Sequence, residues 1–356
     1  MQMAGKYDYI IVGQGIAGTV LSYMLLKRGM KVLVVDDPSL SSASKIAAGL
    51  YNPVVFKRLV KSWMADELIP FMDEFYTSCE RELKKKFYHK KQIIKLFAEP
   101  AEKEFWLKKS GDEVGKYLSK TGNDHSLDAI VHAPFGFAEV IRAGNLDTAS
   151  FLLSFREYFR EQDALMEEKF EYGALELLPG SVAYKENTAG KIIFCEGYKV
   201  IENPFFKELS FKLTKGEILT IKLEDGKIIP ENKVINKGVF ILPLSNGIYK
   251  VGSTYEWNDL GEAPTEKGKE ELLEKLSRVL KVKFEVIGHQ AGIRPTVSDR
   301  RPILGLHPVH PGLGIFNGMG TKGIMLAPYF ADHLIRHLEE GQVLDKEVDL
   351  ERFNKS

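Results

Sequence analysis

Gly13, Gly15 and Gly18 stand in a G-x-G-x-x-G spacing, directly after an apolar run at 7–12 and before an apolar helical stretch at 19–28. That spacing suits a pyrophosphate. Gly13 permits a tight turn, Gly15 lets the backbone approach the phosphates, and Gly18 lets helix and strand pack closely. The unpaired N–H groups of the helix start then face the anion. A second strand at 31–35 ends at Asp36, followed by Asp37, and an acid at that place accepts hydrogen bonds from a ribose diol. A second run with the same spacing, Gly318-Met319-Gly320-Thr321-Lys322-Gly323, follows a short strand at 313–316 and opens a helix at 324–338. Only a charged tail comes after it, so this is not a second dinucleotide half; it is a helix start that offers positive potential to a ligand. Arg294, in Gly292-Ile293-Arg294-Pro295, can grip a carboxylate with two parallel hydrogen bonds; the alternative is an ion pair with Asp299. Lys322 sits where a helix dipole disfavours a cation, which leans toward a binding role rather than a surface charge.

The elements that must position these groups are legible in outline. Residues 61–87 read as one long helix, with Met64, Leu68, Phe71, Met72, Phe75, Cys79 and Leu83 at helical spacing. Residues 93–98 and 135–141 read as strands, 99–120 as one or two short helices, and Asp147 caps a helix reaching 160. Strands are expected at 165–170 and 175–178, and a buried strand at 192–195 ends at Glu196-Gly197, pointing at the ligand crevice of an open parallel sheet. From 205 to 250 the pattern alternates, with turns at 224–226 and 245–247, as in an antiparallel sheet. Thr265 caps a helix to about 280, and a strand returns at 284–287. Pro328 is expected in the first turn of the last helix. The fold class is therefore α/β: a doubly wound nucleotide-binding domain from 1–60, 132–204 and 285–356, interleaved with an antiparallel-sheet substrate domain from 61–131 and 205–284.

Bulk numbers narrow the function classes. In 356 residues, Lys plus Arg and Asp plus Glu balance at 49 each, and no basic stripe points to a nucleic acid. Cys79 and Cys195, the two cysteines, make neither a disulfide framework nor a metal site. The expected setting is a reducing cytoplasm, with no metal, no cleavable signal and no membrane span.

Several segments, collinear over nearly the whole chain, resemble the FAD-dependent D-amino-acid-oxidase-like superfamily in its glycine oxidase and sarcosine oxidase branches. Besides the N-terminal fingerprint these are Ser44-Lys45-Ile46-Ala47-Ala48-Gly49-Leu50, 192–197, Lys215-Gly216-Glu217, 240–254, Gly292-Ile293-Arg294-Pro295 with Asp299, Pro302 and Gly305, and 318–328. The resemblance implies FAD between the two domains. Its nucleotide end would lie at Gly13, Gly15, Ile16, Ala17, Gly18, Asp36 and Asp37, with Phe170, Cys195 and Gly197 beside it. The flavin would run along Ser44, Lys45, Ala48, Gly49 and Leu50, close to Gly292, and meet Gly318, Gly320, Thr321, Lys322, Gly323 and Ile324.

The implied reaction is oxidation of a C–N bond in a small amine or amino acid. Hydride goes to the flavin, the imine hydrolyses, and oxygen or a quinone takes the electrons. Positive potential at the second helix start would stabilise the reduced flavin. The same resemblance gives Arg294 and Lys322 the substrate carboxylate, and Lys250 the place of a lysine that promotes oxygen reduction. Four departures bear on specificity. Cys195 stands where alanine is usual, Met319 where a histidine is common, Thr321 where the glycine oxidase branch has arginine, and Phe240 where it has tyrosine. No cysteine lies near Arg294 in sequence, so the covalent cysteine–flavin link of sarcosine oxidases is not expected. Two other functions fit the motifs: an oxidase resembling the module that processes a carboxymethylaminomethyl group on a tRNA wobble uridine, and a protein holding FAD structurally without turnover.

Overall fold

The computed structural model describes residues 5–119, 125–224 and 226–353. Lys120, at the end of the expected helical stretch, and Asp225, in an expected turn, lie outside the described residues, as do the two extreme ends of the expected domains.

Two eight-stranded sheets carry the molecule. In the first, strand Lys6–Val12 pairs in parallel with Val32–Val35 on one side and Asn187–Phe194 on the other. Leu165–Met166 and Leu313–Asn317 extend it in parallel, and Ile303–Leu306 closes one edge antiparallel. Ser181–Tyr184 and Leu175–Leu178 add an antiparallel extension. From Tyr9 to Val12 this strand is buried on both faces. Tyr9 and Ile11 join the core beneath helices Ile16–Lys27 and Gly323–Glu340, while Ile10 and Val12 join the core on the opposite side. Such two-sided burial is why the run is apolar throughout rather than alternating. Chain direction across the sheet reverses on either side of this strand, which opens a crevice beyond its C-terminal end.

The second sheet follows the order Phe284–Arg294, Thr214–Leu223, Ile248–Gly252, Phe240–Pro243, Lys233–Asn236, Tyr88–Leu96, Phe137–Leu146 and Leu50–Tyr51. All its pairings are antiparallel except that of Lys233–Asn236 with Tyr88–Leu96. Its outer face packs on helix Glu266–Ser277 through Leu219, Ile221, Val251, Leu272 and Leu276.

This sheet gathers segments that the sequence divides differently. Phe137–Leu146 and Phe284–Arg294 fall within stretches expected in the nucleotide-binding part, yet both pair here. Pairing follows hydrogen-bond partners far apart in the chain, which local pattern does not carry. The expected strand at 284–287 in fact runs on to Arg294, so the antiparallel sheet itself delivers the guanidinium.

The long helix is shorter than its apolar spacing implies: it spans Ala65–Leu83. Lys84, at φ 51°, ends it in the left-handed region. The Glu80 carboxylate then turns the chain by accepting from the backbone N–H groups of Phe87 and Tyr88 at 2.8 and 2.7 Å. Ahead of it, Val54–Val55 and Val60–Lys61 form a small hairpin, so Lys61, the expected first helical residue, lies in a strand.

Pro328 lies inside the last helix, beyond its first turn. Its missing N–H deprives the Ile324 carbonyl of its helical donor. The buried Tyr76 hydroxyl donates to that carbonyl at 2.9 Å, so the proline is accommodated by a contact 248 residues away in the chain. No helix of the described residues is long and apolar enough to cross a membrane.

Candidate functional site

A cavity of about 580 Å³ runs from the crevice of the first sheet to the inner face of the second. Its nucleotide end is built from the first glycine run. Gly13 has φ 97°, and a Cβ there would stand 2.8 Å from the Cys195 carbonyl. A Cβ on Gly18 would stand 1.8 Å from the Gly13 carbonyl, so Gly18 serves packing and does not line the cavity. Gly15 differs: a Cβ there meets only Ser44 Oγ, at 3.4 Å, and would project into the cavity. Gly15 caps helix Ile16–Lys27 without a side chain, and its first turn holds no acid. The positive end of the helix is therefore left for an external anion. Ser44 Oγ accepts from Ile16 N at 3.1 Å, tying the small-residue loop to this helix start.

Asp36 stands in the cavity wall with Asp37. Its Oδ1 accepts from Gln14 N at 2.9 Å, and its Oδ2 pairs with Arg156 Nη1 at 2.8 Å. Arg156 also donates to Gln14 Oε1 at 2.6 Å, so both neighbours fix the carboxylate. Sequence reading passed over Gln14 and Arg156. An arginine on a helix marked by Phe151, Phe155 and Phe159, with Arg160 one turn on, gives no local signal.

Phe170, stacked on Tyr184 at 4.3 Å, and Cys195, Glu196 and Gly197 complete this end. Burial pushes the Glu196 carboxyl up to about 7, against hydrogen bonds from Asn203 and Tyr172 that lower it. Burial also raises the Cys195 thiol well above its ordinary range, leaving it an apolar packing group.

The loop carrying Ser44, Lys45, Ala48, Gly49 and Leu50 crosses from the first sheet to the second along the cavity. Lys45 Nζ donates to the Pro38 and Leu40 carbonyls, at 2.7 Å each. Gly49, at φ 69°, lies against the Leu146 backbone, where a Cβ would stand 1.8 Å from the Leu146 carbonyl. Lys250 sits behind this loop and not in the cavity wall. Its Nζ donates to the Ile46 and Ala47 carbonyls at 3.4 and 3.2 Å, and burial lowers its pKa.

At the other end, Gly320, Thr321, Lys322, Gly323 and Ile324 line the cavity with Gly292. Gly318 does not; at φ 78°, it makes the turn beneath them. The two helix starts meet, since a Cβ on Gly323 would stand 3.0 Å from Ile16 Cγ2. Helix Gly323–Glu340 likewise has no side-chain cap and no acid in its first turn.

Two half-buried cations face this end. Arg294 Nη2 donates to Ser253 Oγ at 2.8 Å, and burial lowers its pKa. The expected alternative partner, Asp299, pairs instead with Arg352 at 2.8 Å. Lys322 Nζ donates to Ser62 Oγ at 2.7 Å. Burial, with repulsion from Arg301 and Arg300, lowers Lys322 to about 8. Among the described residues neither cation has a carboxylate partner, and both line the cavity. Charges partly withdrawn from water and left without a counter-charge favour an anionic ligand. Ser62 and Ser253 were not visible as site residues. Ser62 falls in the expected first turn of the long helix, and Ser253 follows a strand end that gains meaning only when Arg294 is brought across the sheet.

Comparisons with known proteins agree with this geometry. The chain is 26% identical to the glycine oxidase of Bacillus licheniformis, over 92% of this chain and 91% of that protein. It is 21% identical to the tRNA 5-methylaminomethyl-2-thiouridine biosynthesis bifunctional protein MnmC of Marinobacter nauticus, over 93% of this chain and 55% of that protein. It thus spans about half the length of that relative. The fold superposes on the crystal structure of glycine oxidase from Geobacillus kaustophilus with a TM-score of 0.77 at 19% identity, covering 96% of this chain and 97% of that one. The family model of FAD-dependent oxidoreductases, DAO, matches residues 8–337. A match of that extent, over a crevice shaped for a dinucleotide, places the protein in the DAO family of FAD-dependent oxidoreductases.

Proposed function

We propose that the protein oxidises the C–N bond of a small α-amino acid, and that Arg294 and Lys322 hold the substrate carboxylate. The carrying observation is the pair of half-buried cations that line one cavity and lack a carboxylate partner among the described residues. FAD is the cofactor of the family, and the residues present fit it. Gly15 leaves the space a Cβ would fill, and two helix starts with no acid in their first turns converge on one cavity. Bound there, FAD supplies the acceptor for the hydride that leaves the substrate α-carbon.

The remaining work belongs to the chain. Arg294 binds one edge of the carboxylate with charge-assisted hydrogen bonds, and Ser253 fixes the rotation of its guanidinium. Lys322 adds a point charge anchored by Ser62. Met319, 5% exposed, and Phe240 give the cavity an apolar wall, which keeps water from weakening these contacts. The start of helix Gly323–Glu340 offers positive potential to charge developing beside it. Lys250 shapes the site indirectly, through the loop it holds.

The test is an anaerobic titration of the yellow protein with glycine, sarcosine, proline and D-amino acids, followed by visible absorbance. Bleaching by one of these supports the reading and names the substrate class. A yellow protein that no carboxylated amine bleaches overturns it. Admitting oxygen or a quinone afterwards identifies the electron acceptor.

A further inference from the structure

Resting on that amino-acid reading, the geometry points to a second recognition element: Tyr255 and Trp257 form a stacking platform at the cavity mouth for a planar ring carried by the substrate. Tyr255 lines the cavity, and the Arg294 guanidinium lies 4.7 Å from its ring centroid. Trp257 stacks beside Tyr255, with centroids 6.3 Å apart and planes 29° from parallel. Both rings remain in water, 53% and 60% exposed. Aromatic side chains ordinarily hide most of their area, so two adjoining exposed rings beside a half-buried cation are an unusual surface.

The platform stands on rigid backbone. Glu256, between the two rings, exchanges both backbone hydrogen bonds with Lys215, at 2.8 and 3.0 Å. Its carboxylate accepts from the N–H groups of Trp257 and Asn258, at 2.8 Å each. Glu217 N donates to Thr254 Oγ1 at 2.9 Å just before it. The chain bends at Trp257, and the ring contact itself puts the two rings side by side. Rings held in place lose little freedom when a ligand stacks on them.

The result is an aromatic surface that starts at the carboxylate clamp and ends in solvent. A bare glycine would reach only the clamp. The ligand that uses both parts is an amino acid bearing a planar aromatic or heteroaromatic group on a short linker. A hydrocarbon ring and a nucleobase share that chemistry.

The test compares glycine with N-benzylglycine and with the nucleoside 5-carboxymethylaminomethyluridine, on flavin-loaded wild type, Trp257→Ala and Trp257→Tyr. Binding is read by tryptophan fluorescence and turnover by anaerobic flavin bleaching. Ring-bearing ligands should bind more tightly than glycine and quench the emission. Their kcat/KM relative to glycine should fall about tenfold in Trp257→Ala and be retained in Trp257→Tyr, as expected for loss of one stacked ring. A preference for N-benzylglycine alone assigns the platform to hydrocarbon rings, and a preference for the nucleoside alone assigns it to a base. The platform is overturned if neither ring-bearing ligand is preferred to glycine, or if the ratio is the same in Trp257→Ala. Quenching by ring-bearing ligands without any bleaching keeps the platform and sinks the amino-acid oxidation reading. Bleaching by glycine with no ring preference does the reverse.

Discussion

A Cβ on Gly216 would stand 1.8 Å from Nη2 and 2.2 Å from Cζ of Arg294. The guanidinium lies flat across the Gly216 backbone, where strand Thr214–Leu223 pairs with Phe284–Arg294. Gly216→Ala must therefore push the guanidinium off Ser253 while leaving the strand in place. We expect a folded, yellow protein whose KM for a carboxylated amine rises at least tenfold, with a smaller change in kcat. Steady-state kinetics would show it, and an unaltered KM would remove Arg294 from the clamp.

Arg294→Lys keeps the charge but loses the planar fork. A charged hydrogen bond contributes about 1.5–3 kcal/mol, so its loss should raise KM for the carboxylated substrate roughly ten- to hundredfold. An uncharged amine lacking the carboxylate should be turned over by wild type and variant alike. Equal sensitivity of both substrates would place Arg294 in the scaffold instead.

Lys322 titrates at about 8 in the folded protein, down from 10.5. Below that pH its ammonium is charged and can hold a carboxylate. KM should therefore climb as pH rises through 8, and Lys322→Arg should remove that inflection. Stability has the opposite sign. The unfolded chain keeps this proton up to about 10.4, so unfolding takes up a proton between the two values and stability rises with pH across that window. At pH 7, Lys322→Met should be more stable by about 1–3 kcal/mol and should bind substrate more weakly. A lower Tm in Lys322→Met would contradict the burial penalty.

Tyr76 and Pro328 should be energetically coupled through the Ile324 carbonyl. Tyr76→Phe orphans that buried carbonyl and should cost about 1–3 kcal/mol. In a Pro328→Ala background, a helical N–H replaces the hydroxyl, and the same change should cost much less. A double-mutant cycle by denaturant unfolding measures the difference; strictly additive effects would mean the hydroxyl is not the substitute donor.

The last two glycines of the first run should separate folding from cofactor retention. Gly15→Ala places a methyl in the cavity without a protein clash, so a folded but poorly flavinated protein is expected. Gly18→Ala drives a methyl into the Gly13 carbonyl and should lower stability whether or not flavin is present. Absorbance at the flavin band and thermal unfolding, taken together, distinguish the two. Full flavin occupancy in Gly15→Ala would put the pyrophosphate elsewhere.

The sequence by itself determined what short-range chemistry can encode. The strand, glycine turn, helix and acid from Lys6 to Asp36 follow from residues only a few positions apart, and so does the second helix start at Gly323. Family membership was legible because those local signals recur in order along the chain. Tertiary structure decided the rest. Phe137–Leu146 and Phe284–Arg294 joined the antiparallel sheet because strand pairing is settled by distant partners. Ser62, expected in the first turn of a helix, instead follows the hairpin at 54–61 and meets Lys322. Arg294 lost Asp299 to Arg352 and gained Ser253 instead. Lys250 turned to the back of a loop. Two cations become a binding site only when burial removes both water and counter-charge from them, and burial is a property of the packed chain.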